Sequence, residues 1–313
     1  MMKILIGYDG SPAASATLAD LPKAGFPPKA HARVLIACPP LLPLDSLAPN
    51  GLVPDGYVRA YAQAVENQEA NLKESLSKAK GATRILKSYF PGWKVEAMTV
   101  AESPAHAILE TAEKWKADQI VIGCRGWNEF GKLLFGSVAD NVMNHAACPV
   151  RLARPGTATK GAPNLLIAYD GSNFADAAVA AVAARHWPKG TKATILAVSE
   201  FQLRMGEIAN ALINSLGHGR NSSPWPWMDG KLAKAAKRLE AAGIRAETSL
   251  VIGEIRHTLL RNAKLLKADS IFVGSHGYTG LRRVMLGSVA AAVAAHAPCS
   301  VEVIHLRAKG KRK

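Results

Sequence analysis

Two stretches of the chain carry glycines at a spacing suited to holding phosphate. The first, GCRGWNEFGKLLFGSVA, starts at Gly123, and the second, GSHGYTGLRRVMLGSVA, starts at Gly274. Both follow Gly-x2-Gly-x9-Gly-Ser: Gly123, Gly126, Gly136 and Ser137 match Gly274, Gly277, Gly287 and Ser288 at one offset, 274 − 123 = 151. Glycine lets backbone N–H groups approach a ligand with no β-carbon in the way. The closing Gly-Ser opens a helical stretch, SVADNVMNHA or SVAAAVAAHA. A helix start offers unpaired N–H groups and a positive dipole end, and Ser137 or Ser288 adds a hydroxyl. The chemistry implied is the binding of phosphate. A plainer reading stands beside it: Ser137 as a helix cap with Asp140 three residues on, close to a capping box. Either motif alone favours the plain reading. Matched elements in two copies favour a site.

The elements that position these glycines also repeat. KILIGYDGSPAASATL, from Lys3, returns as LLIAYDGSNFADAAVA, from Leu165. Each is an apolar run, then Asp-Gly-Ser, then an alanine-rich helix in which Ser11 caps and Pro12 opens the first copy. Alone, Asp-Gly-Ser is a tight turn. Asp9 and Asp170 stand 170 − 9 = 161 apart, so the first copy holds ten more residues before its glycine loop. The extra length falls after the second strand, where PPLLPLDSLAPNGLVPDGY faces GHGRNSSPWPWMDG, both rich in loop-forming residues. The coarse order in copy one is strand 3–8, helix, strand ARVLIAC, a long helix from Tyr57, strand KVEAMTV, a helix after Ser103-Pro104, strand QIVIGC, the glycine loop, a helix from Ser137 and strand PVRLA. Copy two repeats it with LLIAY, KATILAVS, RAETSLV, SIFVG and SVEVIHL. Alternating strands and helices give an α/β fold with a parallel sheet, and the apolar strands are those of a sheet covered on both faces. The expected domains are 1–155 and 163–307, joined by the linker RPGTATKGAP. In such sheets ligands bind beyond the carboxyl ends of the strands, where the strand order reverses. Asp-Gly-Ser and the glycine loop both emerge at that end.

Composition closes several alternatives. With 313 residues the chain is long enough for two cores. No apolar run approaches the roughly 20 residues of a membrane span. The cysteines, Cys38, Cys124, Cys148 and Cys299, form no CxxC pair, which points away from zinc or a disulfide framework and towards a reducing cytoplasm. Cys148 and Cys299 read as small buried hydrophobes. The net charge of +15 suits an acidic partner but does not choose one, and the closing LRAKGKRK reads as a disordered, solubilising tail. Aromatic content is 6%, without a basic-aromatic motif, so sequence-directed nucleic-acid binding has no support. Gly126, Gly131 and Lys132 nearly form a P-loop, but Leu133 replaces its hydroxyl residue, and no G-x-G-x-x-G follows the first strand. His106 and His257, like His145 and His296, pair at the offset of 151 without a nucleophile or metal partner. No catalytic constellation is present.

Taken together, Gly-x2-Gly-x9-Gly-Ser, the aspartate ending strand 1 and the "CPV" before strand 5 resemble the universal stress protein family, in two consecutive copies. The resemblance implies two tandem, doubly wound, Rossmann-like domains of strand order 3-2-1-4-5. They would pair through strand 5, near Val150–Ala153 and Val301–Ile304, as an intramolecular pseudo-dimer. It implies binding of ATP (or ADP or AMP), with or without Mg. Carried over, the nucleotide-binding positions are Asp9, Cys38, Gly123, Gly126, Gly136 and Ser137, then Asp170, Val198, Gly274, Gly277, Gly287 and Ser288. Here the strand 1 aspartate contacts the nucleoside, the end of strand 2 receives adenine, and the glycine loop with Gly-Ser holds ribose and phosphates.

The leading expectation is a cytoplasmic ATP-binding stress regulator or sensor, acting through a conformation, a protein partner or a homo-oligomer. The alternatives are a slow ATP-hydrolysing or phosphate-transferring enzyme and an interaction module without nucleotide. The two sites are expected to be unequal: at the offset of 151, Glu129 stands where the second copy has Gly280, so a carboxylate would face phosphate in the first.

Overall fold

The computed structural model describes residues 1–41, 55–124, 136–154, 161–200, 226–277 and 285–306. Gly126, Glu129, Gly131, Lys132, Gly280, most of the linker and the terminal tail lie outside them. The described residues divide into two compact units, Met1–Pro22 with Pro27–Ala153, and Lys23–Phe26 with Arg154–Lys313.

In the first unit five strands run β1 (Met2–Gly7), β2 (Ala30–Cys38), β3 (Lys94–Ala101), β4 (Gln119–Gly123) and β5 (Val150–Ala153). Their order is β3-β2-β1-β4-β5 and every pairing is parallel. Ile4, Leu5 and Ile6 of β1 and Ile120 and Val121 of β4 are wholly buried, as central strands covered on both faces require. Four helices connect them: α1 (Pro12–Asp20), α2 (Asp55–Tyr89), α3 (Pro104–Trp115) and α4 (Ser137–His145). Helix α2 runs to Tyr89, and Leu86 in its last turn is fully buried.

The second unit repeats the plan with β6 (Asn164–Ala168), β7 (Lys192–Ser199), β8 (Arg245–Ile252), β9 (Ser270–Gly274) and β10 (Ser300–Ile304). The order β8-β7-β6-β9-β10 is again 3-2-1-4-5, all parallel. Its helices are α5 (Asn173–Ala183), α6 (Pro226–Ala241), α7 (Ile255–Leu265) and α8 (Ser288–His296). Strand register locates the missing ten residues. His31 and Lys192 occupy one register position, 192 − 31 = 161, whereas Lys94 and Arg245 differ by 245 − 94 = 151. The change falls between the second and third strands of each copy, as expected from the loops there.

Each unit buries an ion pair at its last strand. In the first, Arg151 Nε and Nη2 donate to Asp20 Oδ2 and Oδ1 at 2.7 and 3.1 Å, a two-point geometry that offsets part of the desolvation cost. In the second, the matching position (151 + 151 = 302) is Glu302, paired with Arg185. Both strand residues are completely buried. Cys148 and Cys299 are buried free thiols, as expected. Among the described residues no helix is long and apolar enough to cross a membrane.

Candidate functional site

Strand order reverses at β1, which has β2 on one side and β4 on the other, and equally at β6 between β7 and β9. The chain leaves β1 and β6 through Asp-Gly-Ser in nearly identical form. Asp9 Oδ1 accepts the Ser11 N–H at 2.9 Å, and Asp170 Oδ1 accepts that of Ser172 at 2.9 Å. Gly10 and Gly171 take φ of 78° and 77°, which a side chain would strain. Ser11 Oγ accepts from Ala14 N and Ser172 Oγ from Ala175 N, capping α1 and α5. The turn is thus a helix entry, and it also leaves one aspartate oxygen directed elsewhere.

In the second unit that oxygen meets the glycine loop. A β-carbon on Gly277 would lie 2.8 Å from Asp170 Oδ2, closer than real contacts allow. The other glycines do different work. A β-carbon on Gly274 would strike Phe174 of α5 at 2.6 Å, and one on Gly123 would strike Thr17 of α1 at 2.7 Å. These two let strand and helix pack closely. Gly287 N donates to Ser275 O at 2.8 Å, closing the loop onto the end of β9.

Helices α4 and α8 begin without side-chain caps. Gly136 and Gly287 occupy the cap positions, and Ser137 and Ser288 are the first helical residues. Ser137 is therefore not the cap, and the capping-box reading with Asp140 is not realised. The cap residues have no side chain to accept the first-turn N–H groups, which are left for a ligand or water. Ser137 and Val138 line one cavity, Ser288 and Val289 the other.

The first cavity has a volume of about 220 Å³ and brings together Asp9, Gly123, Gly136 and Ser137 over Leu35, Ala37 and Ile108. The second, about 490 Å³, brings together Asp170, Val198, Gly274, Gly277, Gly287 and Ser288. Cys38 is not in the first cavity: Ala37 lines it, and Cys38 Sγ lies 3.3 Å from Ser75 Oγ of α2. Side chains alternate along a strand, so neighbours face opposite sides of the sheet. By register Ala37, not Cys38, matches Val198, since 198 − 37 = 161.

Several lining residues carried no signal in the sequence. Tyr8 and Tyr169 precede the aspartates. Burial pushes the Tyr169 hydroxyl up from its ordinary pKa, and its hydrogen bond to Asp176 at 2.7 Å adds to this. Glu200 lines the second cavity and accepts the Ile255 N–H at 3.2 Å. Lys231 Nζ donates to Gly171 O, and a β-carbon on Gly10 would lie 3.2 Å from Lys78, so a lysine covers each Asp-Gly-Ser turn. His276 also lines the second cavity, its Nδ1 3.1 Å from Ser275 Oγ and its ring 5.3 Å from Phe174. Of the paired histidines, His106 on α3 lies 3.5 Å from Glu102, and His145 at the end of α4 donates from Nδ1 to Asn141 O at 2.9 Å, both apart from the cavities.

The arrangement can bind an elongated ligand with an apolar end and an anionic end. Leu196, Val198 and Leu259 offer the first, the start of α8 the second. Three comparisons place it among known proteins. The sequence pattern of the Universal stress protein family matches residues 1–154 and again 162–305. A universal stress protein of Mycolicibacterium smegmatis is 24% identical over 248 residues, 79% of this chain and 81% of that protein. The universal stress protein MJ0531 of Methanocaldococcus jannaschii is 41% identical over 63 residues, which are 20% of this chain and 37% of that protein. Among solved structures, a universal stress protein from Archaeoglobus fulgidus matches 97% of this chain and 98% of its own, with a TM-score of 0.60 and 22% identity, a likeness of fold.

Proposed function

The chain belongs to the universal stress protein family, and from that premise we propose that it binds an adenine nucleotide, ATP or ADP, and serves as a stress-response regulator or sensor. The observation that carries this is the meeting of Asp170 with Gly277 beside the uncapped start of α8. A carboxylate suited to sugar hydroxyls and a set of free N–H groups suited to phosphate share one cavity, with an apolar end for a base. A volume of about 490 Å³ falls in the range of about 300–1,000 Å³ usual for such ligands.

Asp9, Gly123, Gly136 and Ser137 form the corresponding set in the first unit, with Ala37 at the base end; Gly126, the remaining position of the motif, lies outside the described residues. Their cavity is smaller. The alternative of an ATP-hydrolysing enzyme needs a base or metal cluster. Among the described residues no group of three His, Cys, Asp or Glu stands ready for a metal ion. In this reading Mg enters as a companion of the phosphates, as is usual for that ion. The test is mass spectrometry of nucleotide that copurifies with the protein, followed by titration calorimetry with ATP, ADP, NAD and FAD. ATP or ADP should bind tighter than the dinucleotides, and the reverse order would overturn the assignment.

A further inference from the structure

The second cavity is lined by a group with no counterpart among the described lining of the first, an imidazole. His276 lines it, and among the described residues its Nε2 is buried without a hydrogen-bond partner. A second imidazole, His305, just past β10, follows Ile304, whose carbonyl accepts the N–H of Ser275 at 3.0 Å, so the two histidines extend from one hydrogen-bonded pair of strands; among the described residues its Nε2 is likewise buried without a partner. At the offset of 151 the first copy has Arg125 and Arg154 in these positions. Arg154, the described one of the two, donates to Ala294 O and Ala297 O and does not line the first cavity, whose described lining holds no histidine.

We propose that the second cavity binds its anionic ligand together with a proton, held on the His276–His305 pair, so that acid favours occupancy of this site and not of the first. This rests on the reading of the cavity as a nucleotide site. The surroundings of His276 are mixed. Asp170, against Gly277, and Glu200, in the lining of the same cavity, favour an imidazolium. His305 and the positive end of α8 oppose it; a β-carbon on Gly287, the cap residue of that helix, would lie 3.5 Å from His276 Cα. Phe174 and Ser275 are its neutral neighbours. A phosphate at the start of α8 would cancel the helix's positive end and add negative charge of its own. Both changes favour the charged pair. Burial and the charge of His276 hold His305 down to about 4, so the pair has little tendency to be doubly charged without an anion beside it. The sign follows from linkage: a site whose bound form holds more protons gains affinity as pH falls, by up to about tenfold per pH unit for each proton taken up.

The experiment is titration calorimetry of the full chain with ATP from pH 6 to 8, in two buffers of different ionisation heat, for the native protein, His276→Asn and His305→Asn. The phosphates of ATP titrate in this range too, but equally for all three proteins, so the difference between them isolates the imidazoles. Native protein should gain about three- to tenfold more affinity than His276→Asn between pH 8 and 6, with proton uptake that the variant lacks. Equal slopes and equal uptake would overturn the inference and leave nucleotide binding intact. Absence of ATP binding at every pH would overturn the underlying reading, and the inference with it. Should a variant fail to fold, imidazole NMR signals of the native chain decide: with ATP, one should stay charged to higher pH, and no change at any imidazole refutes the proposal.

Discussion

One oxygen of Asp170 stands 2.8 Å from the point where a β-carbon on Gly277 would lie. The aspartate after β6 and the glycine after β9 thus compete for one space, and only glycine leaves room for the carboxylate. The other Asp170 oxygen is tied to Ser172 N at 2.9 Å, so the side chain cannot swing aside without opening the turn that starts α5. Gly277→Val should therefore cost at least about tenfold in ATP affinity at the second site, equivalent to 1.4 kcal/mol or more. Calorimetric stoichiometry would show the loss of one site. Unchanged stoichiometry and affinity would mean that Asp170 and Gly277 are not part of the ligand site.

The buried pair of Asp20 and Arg151 predicts a stability effect distant from any ligand. Asp20→Ala leaves a guanidinium in the core without its carboxylate, a change that typically costs about 3–5 kcal/mol. Denaturant unfolding monitored by circular dichroism should show an earlier transition. The double change Asp20→Ala with Arg151→Met should recover much of the loss, because the uncompensated charge is then gone. If Asp20→Ala unfolds like the native chain, the pair contributes nothing.

His305 predicts a dependence on pH. Its folded value, about 4, lies below the ordinary histidine value because burial disfavours the charged ring. The unfolded chain takes up a proton near pH 6.5 and the folded chain does not. The contribution to stability is therefore whole above about pH 6.5 and is lost as pH falls towards 4, by about 1–3 kcal/mol. His305→Gln should flatten that part of the stability curve in thermal scans. A native curve level from pH 7 to 4.5 would contradict the burial of a neutral ring.

Much of this fold was legible because the repeat supplied its own control: apolar runs and Asp-Gly-Ser recur in order, and strand register reproduces both offsets. At Gly277 the glycine has a spatial reason, since a β-carbon there would meet Asp170. The reading of the site failed at Cys38, because the end of β2 has no motif to set the phase, and an error of one residue turns a side chain to the other face. Ser137 looked like a cap because serine commonly is one; the glycine before it took that place. Lys231 was invisible because it comes from a helix beyond loops that differ between the copies. His276 was missed for a related reason. A search for matched residues passes over positions where the copies differ, and here the first copy has Arg125.

The last expectation concerns the rank of the two sites. The second cavity holds about 490 Å³ against about 220 Å³ in the first, and Glu129, where the second copy has Gly280, adds a carboxylate to the first loop. Both helix starts can be tested alike in the full chain, with Ser137→Asp and Ser288→Asp. A carboxylate at the first turn suits the helix dipole, by about 0.3–1 kcal/mol, so neither change should lower the melting temperature. It repels phosphate, by on the order of 4 kcal/mol at about 4 Å and an effective dielectric near 20, less where water screens it. Ser288→Asp should therefore remove the tighter ATP-binding event seen by calorimetry, while Ser137→Asp removes a weaker one or leaves the isotherm unchanged. Loss of the tighter event in Ser137→Asp would reverse the ranking. Equal losses would show that neither the cavity difference nor Glu129 sets affinity.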